Sequence, residues 1–195
     1  DIESAYWARD PISFLATVGI VGGYPDQTFR PEGKITRAEL TTLLVRAKGI
    51  EPTQEVAQDV FKDLPKTHWA AKYVKLGVDL GLVTGYPDQT FQPQKSINKA
   101  EGVTVITRFG EIPLPVAVIE PPFPDVPGRH WAIKYITAAK ITGLLKYLSG
   151  RPFEPEAPLT RAEAVEILSK TKFAAGKIAE LLDFERGYGL PPTKK

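Results

Sequence analysis

Three cations stand where a helical protein gains little from a cation. Arg37, Lys99 and Arg161 each follow a residue of helix-capping type, Thr36, Asn98 or Thr160, and each precedes Glu39, Glu101 or Glu163 by two positions. A cap residue with Glu three positions on is a capping box, in which the two side chains satisfy each other's free backbone N–H groups. That accounts for the Thr and the Glu without any function. It does not account for the cation, because a helix N-terminus already carries partial positive charge. A cation repeated there asks for an anionic partner: free N–H groups, the helix dipole and a guanidinium fork together make a corner that receives a carboxylate. The competing reading is a salt bridge from Arg37 or Arg161 to a neighbouring Asp or Glu. Lys99 keeps the charge and lacks the planar fork, so the Arg37 site is expected to be the most competent, with those of Lys99 and Arg161 weaker or specialised.

The aromatic candidates are Trp7, Trp69 and Trp131, the only tryptophans. Each offers a flat face for a sugar ring; packing at the base of a helix is the alternative, and the residue type alone favours it. Tyr24 and Tyr86 lie in two copies of Gly-Tyr-Pro-Asp-Gln-Thr-Phe, starting at Gly23 and Gly85, where either an exposed contact or turn packing fits. Asp26 and Asp88 are expected to cap those turns through side chain to backbone bonds. Asp63 and Asp125 are expected to initiate the segment that follows them, with ligand hydroxyls as a secondary role. His68 and His130 are the only histidines and there is no Cys. Too few ligands remain for a zinc site, and no Asp/Asn-dense loop with an acidic twelfth position marks a calcium site. No metal or cofactor is expected. The repeated carboxylates sit in caps and turns rather than as a catalytic pair, so the chain is not expected to be an enzyme.

These residues recur because the chain repeats. Trp7, Trp69 and Trp131 are 62 residues apart, and Gly19, Gly81 and Gly143, then Pro31, Pro93 and Pro155, keep the same spacing without insertion or deletion. Such a period is the signature of a repeat architecture. Each copy reads as helix, turn-rich loop, helix, and the class as all-α. In copy two, Trp69, Tyr73, Leu76 and Leu80 fall on one helical face, and Gly81 ends that helix. Leu40, Leu43, Leu44 and Ala47 stripe the second helix of copy one. Pro11, after Asp10, looks like a first helical residue, so the first helix is expected to start late or break there. Copy three has Tyr147-Leu148-Ser149-Gly150 in place of the Gly-Tyr-Pro-Asp loop, and its backbone should differ. Pro-rich chain from Ile112 to Pro127 should be extended. Phe173 to Leu182 reads as a further short helix, with Ile178, Leu181 and Leu182 as its apolar face, and Gly187 to Lys195 as linker or disordered end. The resulting divisions are 1–50, 51–112, 113–171 and a tail of 172–195.

The bulk numbers exclude other classes. A hydrophobic share of 43%, a charged share of 25% and a net charge of +2 belong to a soluble globular chain and lack the strongly basic face of a nucleic-acid binder. No apolar run approaches the roughly 20 residues of a membrane helix. A start at Asp1 without Met reads as an excised or processed fragment.

The strings Ile35-Thr36-Arg37-Ala38-Glu39 and Leu159-Thr160-Arg161-Ala162-Glu163, each after a Pro-containing loop, resemble the hallmark of the S-layer homology domain. The Phe61-Lys62-Asp63 and Phe123-Pro124-Asp125 segments, the Trp at the first helix and the Gly-Tyr-Pro-Asp loop fit the same pattern, over about Asp1 to Thr171. The resemblance implies a pseudo-threefold spindle in which one helix from each copy forms a central bundle and the rest makes three prongs. It implies an extracellular place in the cell wall or S-layer. Grooves between prongs would bind a secondary cell-wall polysaccharide, often through ketal-pyruvylated N-acetylmannosamine, or a modified peptidoglycan in some diderm bacteria. The motif cation would meet the ligand carboxylate, with the Trp and the loop bearing Gly23 or Gly85 nearby. The parent protein would be free to self-assemble through other domains. A helical-repeat protein–protein module is the rival reading.

Overall fold

A computed structural model describes residues 1–53 and 55–187. Each copy supplies two helices: α1 (Arg9–Thr17) and α2 (Arg37–Ala47), α3 (Ala71–Asp79) and α4 (Lys99–Phe109), α5 (Ile133–Ile141) and α6 (Arg161–Ser169); α7 (Lys172–Gly187) follows. Among the described residues β-structure is confined to isolated bridges, so the chain is all-α.

The helix boundaries follow from local chemistry. All three capping boxes form: Thr36, Asn98 and Thr160 accept from the N–H of Glu39, Glu101 and Glu163, whose carboxylates accept from the cap N–H in return. The first helices stop at Gly19, Gly81 and Gly143, which take φ values of 74, 66 and 81°, a left-handed conformation that costs Gly little. The late start expected at Pro11 does not occur. α1 begins at Arg9, in register with α3, because an N–H in the first helical turn has no intrahelical acceptor to lose. The apolar face expected for α3 is also displaced. Ala70, Tyr73, Val74 and Gly77 are buried, while Trp69 and Leu80 are exposed. Gly77 sets this: a Cβ there would stand 2.8 Å from Thr41 Cγ2 of α2, so the closest approach of the two helices runs over the glycine.

The packing unit is not the sequence unit. The second helix of each copy lies against the first helix of the next, α2 on α3 and α4 on α5, and α6 returns to α1. Divisions at 50 and 112 therefore fall between helices that pack on each other. Three backbone hydrogen bonds close the ring: Ile35 N–H to Leu159 O at 3.0 Å, Leu159 N–H to Ile97 O at 2.8 Å, and Ile97 N–H to Ile35 O at 3.1 Å. The three side chains are buried at this junction, above a core that includes Leu40, Leu44, Ile106 and Ile167.

α7 is longer than the Phe173–Leu182 segment read from sequence. Its Phe173 ring lies 5.0 Å from that of Phe109 at the end of α4, Lys48 Nζ stands 3.6 Å over the same ring, and Ala174 is buried. The segment 112–127 forms no helix. Copy three does differ in its loop, with a 3-10 turn at Lys146–Leu148. The tail expected beyond Gly187 lies outside the described residues.

Candidate functional site

The helix N-termini that looked open are closed. Arg37 and Ala38 donate their N–H groups to Lys95 O and Pro93 O, Lys99 and Ala100 to Ala157 O and Pro155 O, Arg161 and Ala162 to Gly33 O and Pro31 O, at 2.8–3.1 Å. The next N–H belongs to the capping box. The free N–H corner is therefore filled by carbonyl groups from another copy's loop, a long-range partner invisible to a local pattern.

The three cations also tie copies together. Arg161 is buried; Nε donates to Phe29 O at 2.8 Å, Nη2 to Gly22 O at 3.1 Å and Nη1 to Glu39 Oε1 at 3.3 Å. Its guanidinium lies 4.6 and 4.7 Å from the ring centres of Tyr24 and Phe29. Arg37 repeats the arrangement on copy two, with Nε to Phe91 O, Nη2 to Thr84 O, and the rings of Tyr86 and Phe91 at 4.7 Å. It is half-exposed and forms no ion pair among the described residues. Lys99 Nζ lies 2.9 Å from Glu154 Oε2 and 3.2 Å from Glu163 Oε1. Burial alone would push its pKa down; the two carboxylates outweigh that and raise it. Of the two arginines for which a salt bridge was the alternative, Arg161 forms one and Arg37 does not, and Lys99 is paired as well.

The acidic candidates hold loops. Asp1, Asp63 and Asp125 each use both carboxylate oxygens on consecutive N–H groups, those of Phe29 and Arg30, Phe91 and Gln92, and Phe153 and Glu154, at 2.6–3.0 Å. Arg30, Gln92 and Glu154 have φ of 57, 56 and 58°, so each pair is a backbone nest with a carboxylate seated in it. Asp26 and Asp88 accept from the N–H and hydroxyl of Thr28 and Thr90. The bonds from Thr28 and Arg30 hold Asp26 down to about 2. His68 and His130 accept through Nδ1 from the N–H of Ala70 and Ala132, which fixes the turn just ahead of α3 and α5.

The tryptophans are not core residues. Trp7, Trp69 and Trp131 are 45, 53 and 59% exposed. Trp69 forms one lip of a groove of about 600 Å³ whose walls come from three copies: the loop Gly22 to Pro25 with Thr42 and Arg46 from copy one, Trp69 and Gln94 from copy two, and Arg161 from copy three. Tyr24 donates its hydroxyl to Glu39 at 2.7 Å; burial first, then that bond, raise its pKa. The 62-residue shift carries this lining onto Gly85, Tyr86, Arg108, Trp131 and Arg37 for a second groove. In the third, Trp7 stacks on Tyr147 at 5.2 Å and 12°, and the remaining space beside Lys146, Arg151, Glu166 and Lys170 is about 290 Å³. Lys99 belongs to that third junction.

The sequence reading passed over Arg46. Its counterparts are Arg108 and Lys170, so the same spacing that singled out Arg37 would have found it.

The S-layer homology domain model matches residues 1–41, 60–101 and 122–165 of this chain. A cellulosome-anchoring protein of Acetivibrio thermocellus is 37% identical over 155 residues, covering 76% of this chain and 34% of that protein. A surface layer protein of Brevibacillus choshinensis is 40% identical over 96 residues, 48% of this chain and 9% of the relative. S-layer protein EA1 of Bacillus anthracis is 27% identical over 178 residues, 91% of this chain and 20% of that one. The chain thus spans about a third or less of these relatives. No helix among the described residues is long and apolar enough to cross a membrane.

Proposed function

The chain belongs to the S-layer homology domain family, and from that premise we propose that it anchors a larger protein to the cell wall by gripping an anionic polysaccharide in the grooves between its copies. The family sets it at the cell surface. The observation that carries the glycan reading is the groove at Trp69, where an exposed aromatic face stands beside two guanidinium groups, those of Arg46 and Arg161. Flat aromatic rings suit sugar faces, and paired cations suit an acid group borne on the sugar. Pyruvylated N-acetylmannosamine has both features.

We rank this groove first, ahead of the one bearing Arg37, because it is open and its loop is pinned by the buried Arg161. Gly23, Tyr24, Trp69 and Arg161 are its proposed contacts. Gly85, Tyr86, Trp131 and Arg37 would serve the second groove, and Lys99 and Trp7 the third. Asp63 and Asp125 support these loops, with no carboxylate oxygen left free of a backbone bond. The reading is of a binding module without catalysis of its own, with cargo and any lattice left to the rest of the parent protein.

Sedimentation with protein-free wall sacculi tests the function. Binding that disappears after mild acid removes pyruvyl groups supports the acidic polysaccharide; binding that survives it, and is lost when peptidoglycan is digested, favours the modified peptidoglycan. No binding to sacculi leaves the protein–protein reading.

A further inference from the structure

Arg161 cannot be the group that receives the ligand's acid in full. Its Nε, Nη1 and Nη2 each already have an acceptor, one of them the carboxylate of Glu39, and its guanidinium carbon lies over the rings of Tyr24 and Phe29. The charge it brings to the groove is paired with that of Glu39. Arg46 differs. It lies in the last turn of α2 and lines the same groove. Among the described residues its one hydrogen bond runs from Nη2 to the Tyr73 hydroxyl at a long 3.2 Å, and no carboxylate lies within ion-pair range. Its Nη1 stands beside Gly22, 3.9 Å from where a Cβ would be, so it reaches across the groove floor to the loop. Tyr73 holds it from the far side, with the ring 5.1 Å from the guanidinium.

We infer that Arg46 is the residue that makes the first groove select an anionic glycan over a neutral one, with Tyr73 as its positioning residue and Arg108 as its counterpart in the second groove; this rests on the glycan-binding reading above. The third copy shows the same position with its cation paired. The position of Arg46 is taken there by Lys170, and that of Thr42 by Glu166. Glu166 and Lys170 pair at 2.5 Å on the same helical face, and Lys170 also donates to Gly143 O. At this position the third groove has lost its unpaired cation, and it has also lost space.

The test is titration of the whole chain with acid-bearing wall polysaccharide released from sacculi, and with the same polysaccharide after pyruvyl removal. R46Q is expected to weaken binding of the acidic polymer about tenfold or more, the size of one charge-assisted bond, and that of the neutral polymer by a clearly smaller factor; R46K should recover part of the loss. T42E, which installs the pair seen at Glu166 and Lys170, should weaken acidic binding to a similar degree, and R46Q reads the same effect should T42E fail to fold. Equal affinity of R46Q and wild type for the acidic polymer, or equal loss for both polymers, overturns the inference while leaving the glycan reading intact. A wild-type chain that binds neither polymer overturns the glycan reading itself.

Discussion

Arg161 Nε donates to the carbonyl oxygen of Phe29 at 2.8 Å across 132 positions of chain. The last copy is thereby locked onto the first, and the buried guanidinium is paired with Glu39. Removing one partner of such a pair strands the other. Arg161→Ala is expected to lose about 3 kcal/mol in urea unfolding. Arg37→Ala, half-exposed and bonded to carbonyl groups alone, should lose about 1 kcal/mol. The order of the two losses is the test, and a larger loss at Arg37 would contradict it.

The repeat made much of this legible from residues alone. Spacing located all six paired helices, because caps and left-handed glycines are local devices that need no tertiary partner. The capping boxes and the turn caps of Asp26 and Asp88 stand as read. The cyclic exchange of helices was not legible, since a hydrophobic stripe says that a face is buried and not which neighbour buries it. The surroundings of the motif cation were hidden for the same reason. Its place looked unsatisfied within one copy, and its partners, Phe91 O for Arg37 and Phe29 O for Arg161, lie in another. The exposure of Trp69 was likewise hidden, because helical spacing put it on a face that Gly77 turns away.

The carboxylate clamp at Asp125 predicts acid sensitivity. Burial pushes the Asp125 carboxyl up, and the N–H bonds from Phe153 and Glu154 outweigh it, leaving the pKa below the ordinary 3.8. A depressed folded-state pKa gives stability that is present above the unfolded-state value of about 3.9 and lost as pH falls through the lower folded-state value. Asp125→Asn keeps one acceptor oxygen and should cost about 1 kcal/mol at neutral pH. Thermal melts from pH 7 downward should show the gap between variant and wild type closing below about pH 4. A gap that widens with acid would refute the clamp.

α7 predicts where the folding unit ends. It packs on α1 and α6, sets Phe173 against Phe109 at the end of α4, and pairs Lys172 with Glu111. A chain stopped at Thr171 keeps every matched repeat residue and uncovers this base. It should lose about 3 kcal/mol, comparable to emptying one aromatic site. Phe173→Ala in the whole chain should lose about 2 kcal/mol, since the ring is half-buried. Chemical denaturation of both variants checks this; a truncated chain as stable as the whole would make α7 a mere connector.

The three tryptophans give each groove its own reporter. Among the described residues Trp69 and Trp131 have no aromatic partner beyond the adjacent His68 and His130, whereas Trp7 is stacked face to face on Tyr147. A sugar that enters the first or second groove meets a bare indole. In the third it would have to displace a stack of the kind that contributes about 1 kcal/mol beyond its buried area. Variants that keep a single Trp, with Phe at the other two positions, should therefore differ when titrated with wall polysaccharide. Emission from Trp69 should shift most, Trp131 less, and Trp7 should stay constant. Replacing Tyr147 with Gly, the residue at the matching positions Gly23 and Gly85, removes the stack and should make Trp7 report binding, provided that sterics rather than the Glu166–Lys170 pair closes the third groove. Silence of Trp7 in that variant assigns the closure to charge instead, because the aromatic face is then open and the cation still neutralised.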